Sequence, residues 1–446
     1  MKKQVLTEKR RKAREEALDI FLHALKVLRV GPAMERHVRF NGGVLEIDGR
    51  GYMLDDYRRL ALIAIGKAAG PMAAAFLLQA GAGGARFEGV VVGQGGAEAL
   101  PARLREYRGG HPSPNEASVA AAADILRTLQ SLTERDLVIF LVSGGGSAMV
   151  EQFLVPEVSL ETMVATHRAL VESGAPIAAI NAVRKHLSAV KGGRLAVAAA
   201  PAEQVTVYVS DVPAGELDAL SSGPTMPDRS TVSDVYRIAE EYELPALLPP
   251  VIAEQVTLRS LAETPKPGDA AFARSRWSVL LDSTSLEQAA ASRARELGWH
   301  VEIDDACDDW AADRAASYLL DRLRKMRRER ERVCLLSAGE VTVRVPSGVT
   351  GKGGRNQHFA LLCSRQIAGE AITVLSGGSD GIDGNSGAAG GIVDGATVER
   401  AHVAAFPVDR ALVEFDSNSL LALLGDMITT GPTGNNLRDL RVLLAP

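Results

Sequence analysis

The chain has 446 residues, 46% apolar and 24% charged, a globular composition that excludes a disordered chain and suggests two or three domains. With 50 Lys and Arg against 55 Asp and Glu, the formal charge of −5 argues against a nucleic-acid binder, and no apolar run nears the roughly 18 residues that span a bilayer. Cys307, Cys334 and Cys363 are scattered without a CxxC, so neither a disulfide framework nor a zinc site is expected and a reducing, cytoplasmic setting fits.

The N-terminal 14 residues are basic, but Glu8 interrupts them and no apolar run with a cleavage site follows, so no targeting segment is expected. Ile20, Phe21, Ala24, Leu25 and Leu28 fall at helical spacing and predict an amphipathic helix over 11–30, docked on a larger body. One pattern then recurs, a short apolar run ending in Gly, Ser and Asp. Residues 62–65 lead into Gly66-Lys67-Ala68-Ala69-Gly70, 90–92 into Gly93-Gln94-Gly95-Gly96, and 137–142 into Ser143-Gly144-Gly145-Gly146-Ser147. Residues 205–209 lead into Ser210-Asp211-Val212-Pro213, 333–336 into Ser337-Ala338-Gly339-Glu340, and 372–375 into Ser376-Gly377-Gly378-Ser379-Asp380.

Such runs read as buried strands of a parallel sheet, and the Ala/Leu-rich stretches between them, such as 117–132 and 285–297, read as helices. The fold class is therefore α/β with right-handed crossovers. Open sheets of this kind bind ligands at the carboxyl ends of their strands, where the glycines gather. Pro245, Pro249, Pro250, Pro265 and Pro267 mark a boundary, giving domains over 1–255 and 256–446, with the strand pattern resuming at 278–281. The basic run 322–332 reads as the exposed end of a helix.

The chemistry gathers at the strand ends. Ser143-Gly144-Gly145-Gly146-Ser147, between a strand and a helix, is a backbone cradle for phosphate. It is no general nucleotide fingerprint. A Walker A loop fails because Gly353 follows Gly351-Lys352, and a dinucleotide GxGxxG fails at Glu98, which removes the main support for a dehydrogenase. Lys67 and Arg355 stand beside glycines, Arg355 just ahead of a helical run at 358–362. A helix is expected over 181–195, capped by Asn181 and ended by Gly192-Gly193, with Arg184, Ser188 and Lys191 on one face. Together these cations describe an anion site.

Asp211, directly after a strand, suits a general base or metal ligand. Asp380 and Asp383 suit Mg²⁺ or a substrate hydroxyl, with an Asx-turn loop as the equal alternative. His111 is expected in a structural turn, with ligand contact as the alternative, and His186 and His358 as packing residues. Glycine loops, cations and an acidic acceptor describe phosphoryl transfer, and on these residues kinase, phosphatase and phosphosugar isomerase stay open.

Several segments, in order along nearly the whole chain, resemble the glycerate 2-kinase family with a C-terminal MOFRL domain, some of whose members carry a hydroxypyruvate reductase label. They include Gly66-Lys67-Ala68-Ala69, Gly110-His111-Pro112, the Ser143–Ser147 loop, Asn181-Ala182-Val183-Arg184-Lys185-His186, Lys191-Gly192-Gly193-Arg194, Ser210-Asp211-Val212-Pro213 and Ser222-Gly223-Pro224-Thr225. Gly353-Gly354-Arg355-Asn356-Gln357, Asp380-Gly381-Ile382-Asp383-Gly384 and Thr430-Gly431-Pro432-Thr433-Gly434 continue the series. The resemblance implies an N-terminal Rossmann-like doubly wound parallel sheet, a smaller C-terminal α/β domain, and a cleft between them, over which the two domains joined near 244–273 are expected to close by a hinge.

It also implies ATP- and Mg²⁺-dependent phosphorylation of D-glycerate at its 2-hydroxyl, with Lys67, Asp211 and Arg355 catalytic. The partners are then a small hydroxyacid and a nucleotide, and a homo-oligomer is compatible. Alternatives are a kinase for another small hydroxyacid, a non-catalytic nucleotide or phosphosugar binder, and a hydroxypyruvate reductase. The chain departs from the family pattern at Ala214-Gly215-Glu216, Ala338, His358, Ser417-Asn418-Ser419 and Asn435, which bears on the acceptor.

Overall fold

A computed structural model describes residues 2–95, 100–155, 158–213 and 215–446, except the side chains of 2–7, so Gly96, Glu98 and Ala214 lie outside the described residues. The chain forms two compact units, one of Val30–Leu280 and one of Met1–Arg29 with Leu281–Pro446.

The Val30–Leu280 unit opens with an antiparallel meander, β1 (Val38–Asn41), β2 (Val44–Ile47) and β3 (Arg50–Met53). Its main sheet holds β4 (Arg59–Ile65), β5 (Phe87–Gly93), β6 (Leu104–Arg108), β7 (Asp136–Ser143), β8 (Glu203–Val209) and β9 (Ser275–Leu281), in the order β6-β5-β4-β7-β8-β9. β6 through β8 pair in parallel. Succession runs outward from β4 through β6 and then reverses from β7 through β9, the doubly wound Rossmann order with its switch point between β4 and β7. Every residue of β7 and β8 is buried, as in a sheet covered on both faces. Ile63, Ile65, Phe140 and Val142 pack with Ile125 and Leu129 of the helix Glu116–Gln130, each such side chain contributing about 1.5–3 kcal/mol.

The second unit is built on a mixed sheet of β10 (His300–Ile303), β11 (Val333–Ala338), β12 (Thr373–Gly378), β13 (Gly390–Asp394), β14 (Met427–Ile428) and β15 (Asp439–Ala445), ordered β10-β11-β15-β12-β13-β14. Only β10 and β11 pair in parallel; the other four pairings are antiparallel. The parallel reading of 333–336 and 372–375 is thus corrected. A strand buried on both faces has the same apolar run whichever way its neighbour points, and here β15 lies between the two.

Three further expectations change. The N-terminal helix is Lys2–Val27, longer than 11–30, and it belongs to the second unit, where Ala17, Ile20, Phe21 and Ala24 are fully buried. Glycine makes room for it: a Cβ on Gly377 would stand 2.8 Å from Phe21 Cζ. Residues 278–281 do not open a second domain, so the units differ from the expected 1–255 and 256–446. They end β9, held at the sheet edge by the Gln204 amide donating to the Arg274 carbonyl at 3.0 Å and the Trp277 indole donating to Thr225 at 3.0 Å. The helix expected over 181–195 is Ile177–Leu187, because Ser188 turns extended (φ −94°, ψ 141°) and the Ala189 amide bonds to the Gln152 carbonyl. Arg194 then begins a separate helix, Arg194–Ala199.

Arg14 anchors the N-terminal helix to the buried carboxylates of Asp394 (3.1 Å) and Asp426, the latter shared with Arg400. Arg14→Ala leaves these charges short of a partner, so a loss of about 2 kcal/mol is expected in urea unfolding, and an unchanged midpoint would refute the anchor.

Candidate active site

The loops leaving β4 and β7 are stitched together at the switch point. Gly66 has φ of 116°, and a Cβ on it would stand 2.3 Å from the Ser143 carbonyl oxygen. The Lys67 amide donates to the Gly144 carbonyl at 2.9 Å and the Ala68 amide to Ser143 Oγ at 3.0 Å. Ser143 therefore braces the Lys67 turn from inside. The next loop is braced too: the Gly146 amide donates to Ser221 Oγ at 3.0 Å, Ser221 Oγ donates to the Ser143 carbonyl at 2.7 Å, and Ser147 Oγ pairs with Ser222 Oγ at 2.9 Å. The expected helix after the loop is only one turn, Gly146–Met149.

Three polar side chains crowd this loop. A Cβ on Gly144 would fall 1.9 Å from Asp211 Oδ2, and one on Gly145 would fall 3.1 Å from Lys67 Cγ and 3.2 Å from His111 Cδ2. Lys67 is exposed and Asp211 half-buried. Burial, then the charge of Lys67, lowers the His111 pKa, which favours a neutral ring. Cavities flank the loop. One of about 320 Å³ is lined by Lys67, Gly93, Gln94, Tyr107 and Arg108, and one of about 440 Å³ by His111, Gly145, Ser147, His167 and Arg184.

The remaining cations of this unit separate. Lys191, expected to contact phosphate, is buried with its Nζ 2.5 Å from Glu151. Glu151 also accepts from Ser188 Oγ at 2.6 Å and faces His167 Nε2 at 3.0 Å. Burial would raise its pKa, but Lys191 and then His167 hold it at about 2, so Lys191 is an internal counter-ion. Arg184 does not share a face with Lys191, since the helix ends between them. His186 is a packing residue as expected, fully buried with its ring on the Ala182 carbonyl and Glu263.

In the second unit Arg355 is the first residue of its helix, Arg355–Gln366, and not ahead of it. Its guanidinium donates to Asp439 at 2.5 and 3.1 Å and pairs with Glu340 at 2.7 Å. Burial would lower its pKa, but these carboxylates overturn that and raise it. Asp383 accepts the amides of Asn356 (3.0 Å) and Gln357 (2.9 Å), so it caps that helix from another loop, and burial pushes its pKa up to about 6. Asn356 takes a hydrogen bond from Ser376 Oγ at 2.6 Å. Asp380 lines a cavity of about 680 Å³ with Glu340, Arg355, Asp383, His358 and Ser417. His358 lines this cavity half-buried, and its ring packs by stacking on Phe415 at 5.2 Å. Among the described residues no three His, Cys, Asp or Glu side chains gather as a metal cluster.

Sequence reasoning passed over Glu151 and Asp439, which carry no local signal, and over Ser221. The Ser221-Ser222-Gly223-Pro224 string is such a signal, because both serines take left-handed φ (50° and 60°) in the tight turn that presents their hydroxyls.

A family model described as a domain of unknown function, DUF4147, matches residues 16–257, and the MOFRL family model matches 333–439. D-glycerate 2-kinase from Thermotoga maritima is 36% identical over 86% of this chain and 89% of its own length. A relative from Agrobacterium vitis that carries a hydroxypyruvate reductase name is 35% identical over 86% of this chain and 87% of its own. A crystal structure of glycerate kinase from Thermotoga maritima superposes with a TM-score of 0.84 at 32% identity, over 98% of this chain and 100% of that one.

Two outcomes test this geometry. Gly144→Ala should abolish ligand binding in calorimetry while circular dichroism stays native, since its Cβ cannot coexist with Asp211. Asp383 has a folded pKa of about 6 against an ordinary 3.8, so the native state holds its proton longer and this stability fades as pH rises through that window. Asp383→Asn should remove that slope from a pH series of urea unfolding.

Proposed function

The chain belongs to the glycerate kinase family that joins DUF4147 to a MOFRL domain, and on that premise we propose that it transfers the γ-phosphoryl group of ATP to the 2-hydroxyl of D-glycerate. The observation that carries this reading is the meeting of Lys67, Asp211 and the glycine loop at the switch point of a Rossmann-ordered sheet that lacks a dinucleotide fingerprint.

Phosphoryl transfer asks the protein for positioning and charge stabilisation. Lys67 supplies a compact ammonium on a turn held by two hydrogen bonds, so little reorganisation accompanies the reaction. Asp211, fixed against Gly144, aligns the acceptor hydroxyl and takes its proton as the new O–P bond forms. Bound Mg²⁺ would neutralise charge between the phosphates. Such an ion is carried largely by phosphates and water and takes one or two carboxylates, which Asp211 or Asp380 fits. Asp383 does not fit, because both its oxygens already accept backbone N–H groups. Arg355 is proposed as catalytic on the strength of the family resemblance.

Lys67→Ala and Asp211→Asn should each lower kcat about 10²- to 10⁴-fold with melting unchanged, followed as phosphoglycerate formed from ATP and D-glycerate. Ligand binding without turnover, or NADPH oxidation with hydroxypyruvate instead, would overturn the kinase reading. Arg355→Lys keeps the charge beside Asp439 and makes a second test. A kcat lowered with melting unchanged supports the catalytic role of Arg355, and an unchanged kcat refutes it.

A further inference from the structure

The segment that supplies three cations in sequence uses two of them internally. Lys185 Nζ bonds to Asp228 at 3.0 Å and Asp218 at 3.3 Å, and Lys191 is held by Glu151. Arg184 is different. It is half-buried on the helix Ile177–Leu187, its Nε is shut off from solvent, and it makes no hydrogen bond or ion pair among the described residues. Glu151, the acidic group whose field reaches it, already holds Lys191, His167 and Ser188. With Glu151 matched by Lys191, this buried cluster keeps one uncompensated positive charge. A desolvated guanidinium without an acceptor is costly, and its planar fork matches a carboxylate.

Arg184 lines the 440 Å³ cavity together with His111, Gly145 and Ser147, against an apolar wall of Pro112 and Ala148. Gly145 and His111 are the residues packed beside Lys67. The acidic side chain on this cavity, Glu172, is exposed at the rim.

We propose that Arg184 recognises the carboxylate of the acceptor, so that a short α-hydroxy acid lies in this cavity with its carboxylate on the guanidinium and its hydroxyl toward the Lys67 loop. The inference rests on the kinase reading and deepens it: the cavity selects acids over neutral polyols and amides of the same size. A nucleotide phosphate is the other anion that such a guanidinium would take, and the kinetics separate the two.

The experiment measures KM for D-glycerate and for ATP, and turnover of D-glyceramide, in the wild type, Arg184→Gln and Arg184→Lys, with melting curves to confirm folding. Arg184→Gln should raise the KM for D-glycerate about 30- to 100-fold, leave that for ATP within about twofold, and erase the preference for glycerate over glyceramide. Arg184→Lys, which keeps the charge and loses the fork, should fall between. A rise confined to the KM for ATP, or no change in either constant, overturns the proposal. Should the wild type phosphorylate no hydroxyacid, the kinase reading falls by itself. Calorimetry with D-glycerate then judges the cavity separately, binding lost in Arg184→Gln supporting it and binding unaltered refuting it.

Discussion

The close approach of two backbones, where β4 and β7 end side by side, is the constraint on which the first unit's chemistry depends. Parallel strands bring their exits within reach of one another only if no side chain intervenes, and Gly66, Gly144, Gly145 and Gly146 meet that condition in four different directions. The contact lets amides of one loop bond to oxygens of the other, and those bonds hold the Lys67 turn while Asp211 packs against Gly144. The glycines gathered in these two loops are therefore a packing requirement. Each such residue costs about 1 kcal/mol in unfolded-chain entropy and returns it as a rigid, narrow turn.

Within each unit the protein settles buried charge internally. Glu151 with Lys191, Asp228 with Lys185, and Asp439 with Arg355 are close pairs whose desolvation offsets much of their attraction. What they supply is register: each ties a loop to an element far away in sequence. Arg355 shows the double use of such a pair, since Asp439 holds the fork in one orientation while Glu340 shares its outer edge.

Much of this was legible in the residues. Buried runs at 62–65, 137–142 and 205–209 announced the parallel sheet, and the Gly, Ser or Asp after each run marked the strand ends where a ligand is expected. Illegible features were those settled by partners distant in sequence. Nothing in 439–445 says that it separates 333–338 from 373–378, and an apolar run does not report the direction of its neighbour. The end of a helix at Leu187 was hidden because Ala189 and Val190 continue the apolar spacing, while a hydrogen bond to Gln152 pulls the chain away. Lys191 looked like Arg184 on paper; only the burial of Glu151 distinguishes a counter-ion from a ligand-seeking cation.

The N-terminal helix and the residues after 281 share one core, although residues 30–280 stand between them in the chain. The helix therefore leaves the ribosome before residues 30–280 and waits for its partners until the residues after 281 have followed. Residues 30–280 are complete long before that and are free to fold as a unit, since domains form in order of synthesis. Meanwhile the stripe of Ala17, Ile20, Phe21 and Ala24 has no sheet to cover it and is a natural substrate for chaperones. Closing so long a loop adds only logarithmically to the entropic cost, so the burden of this connectivity falls on the time to fold far more than on final stability.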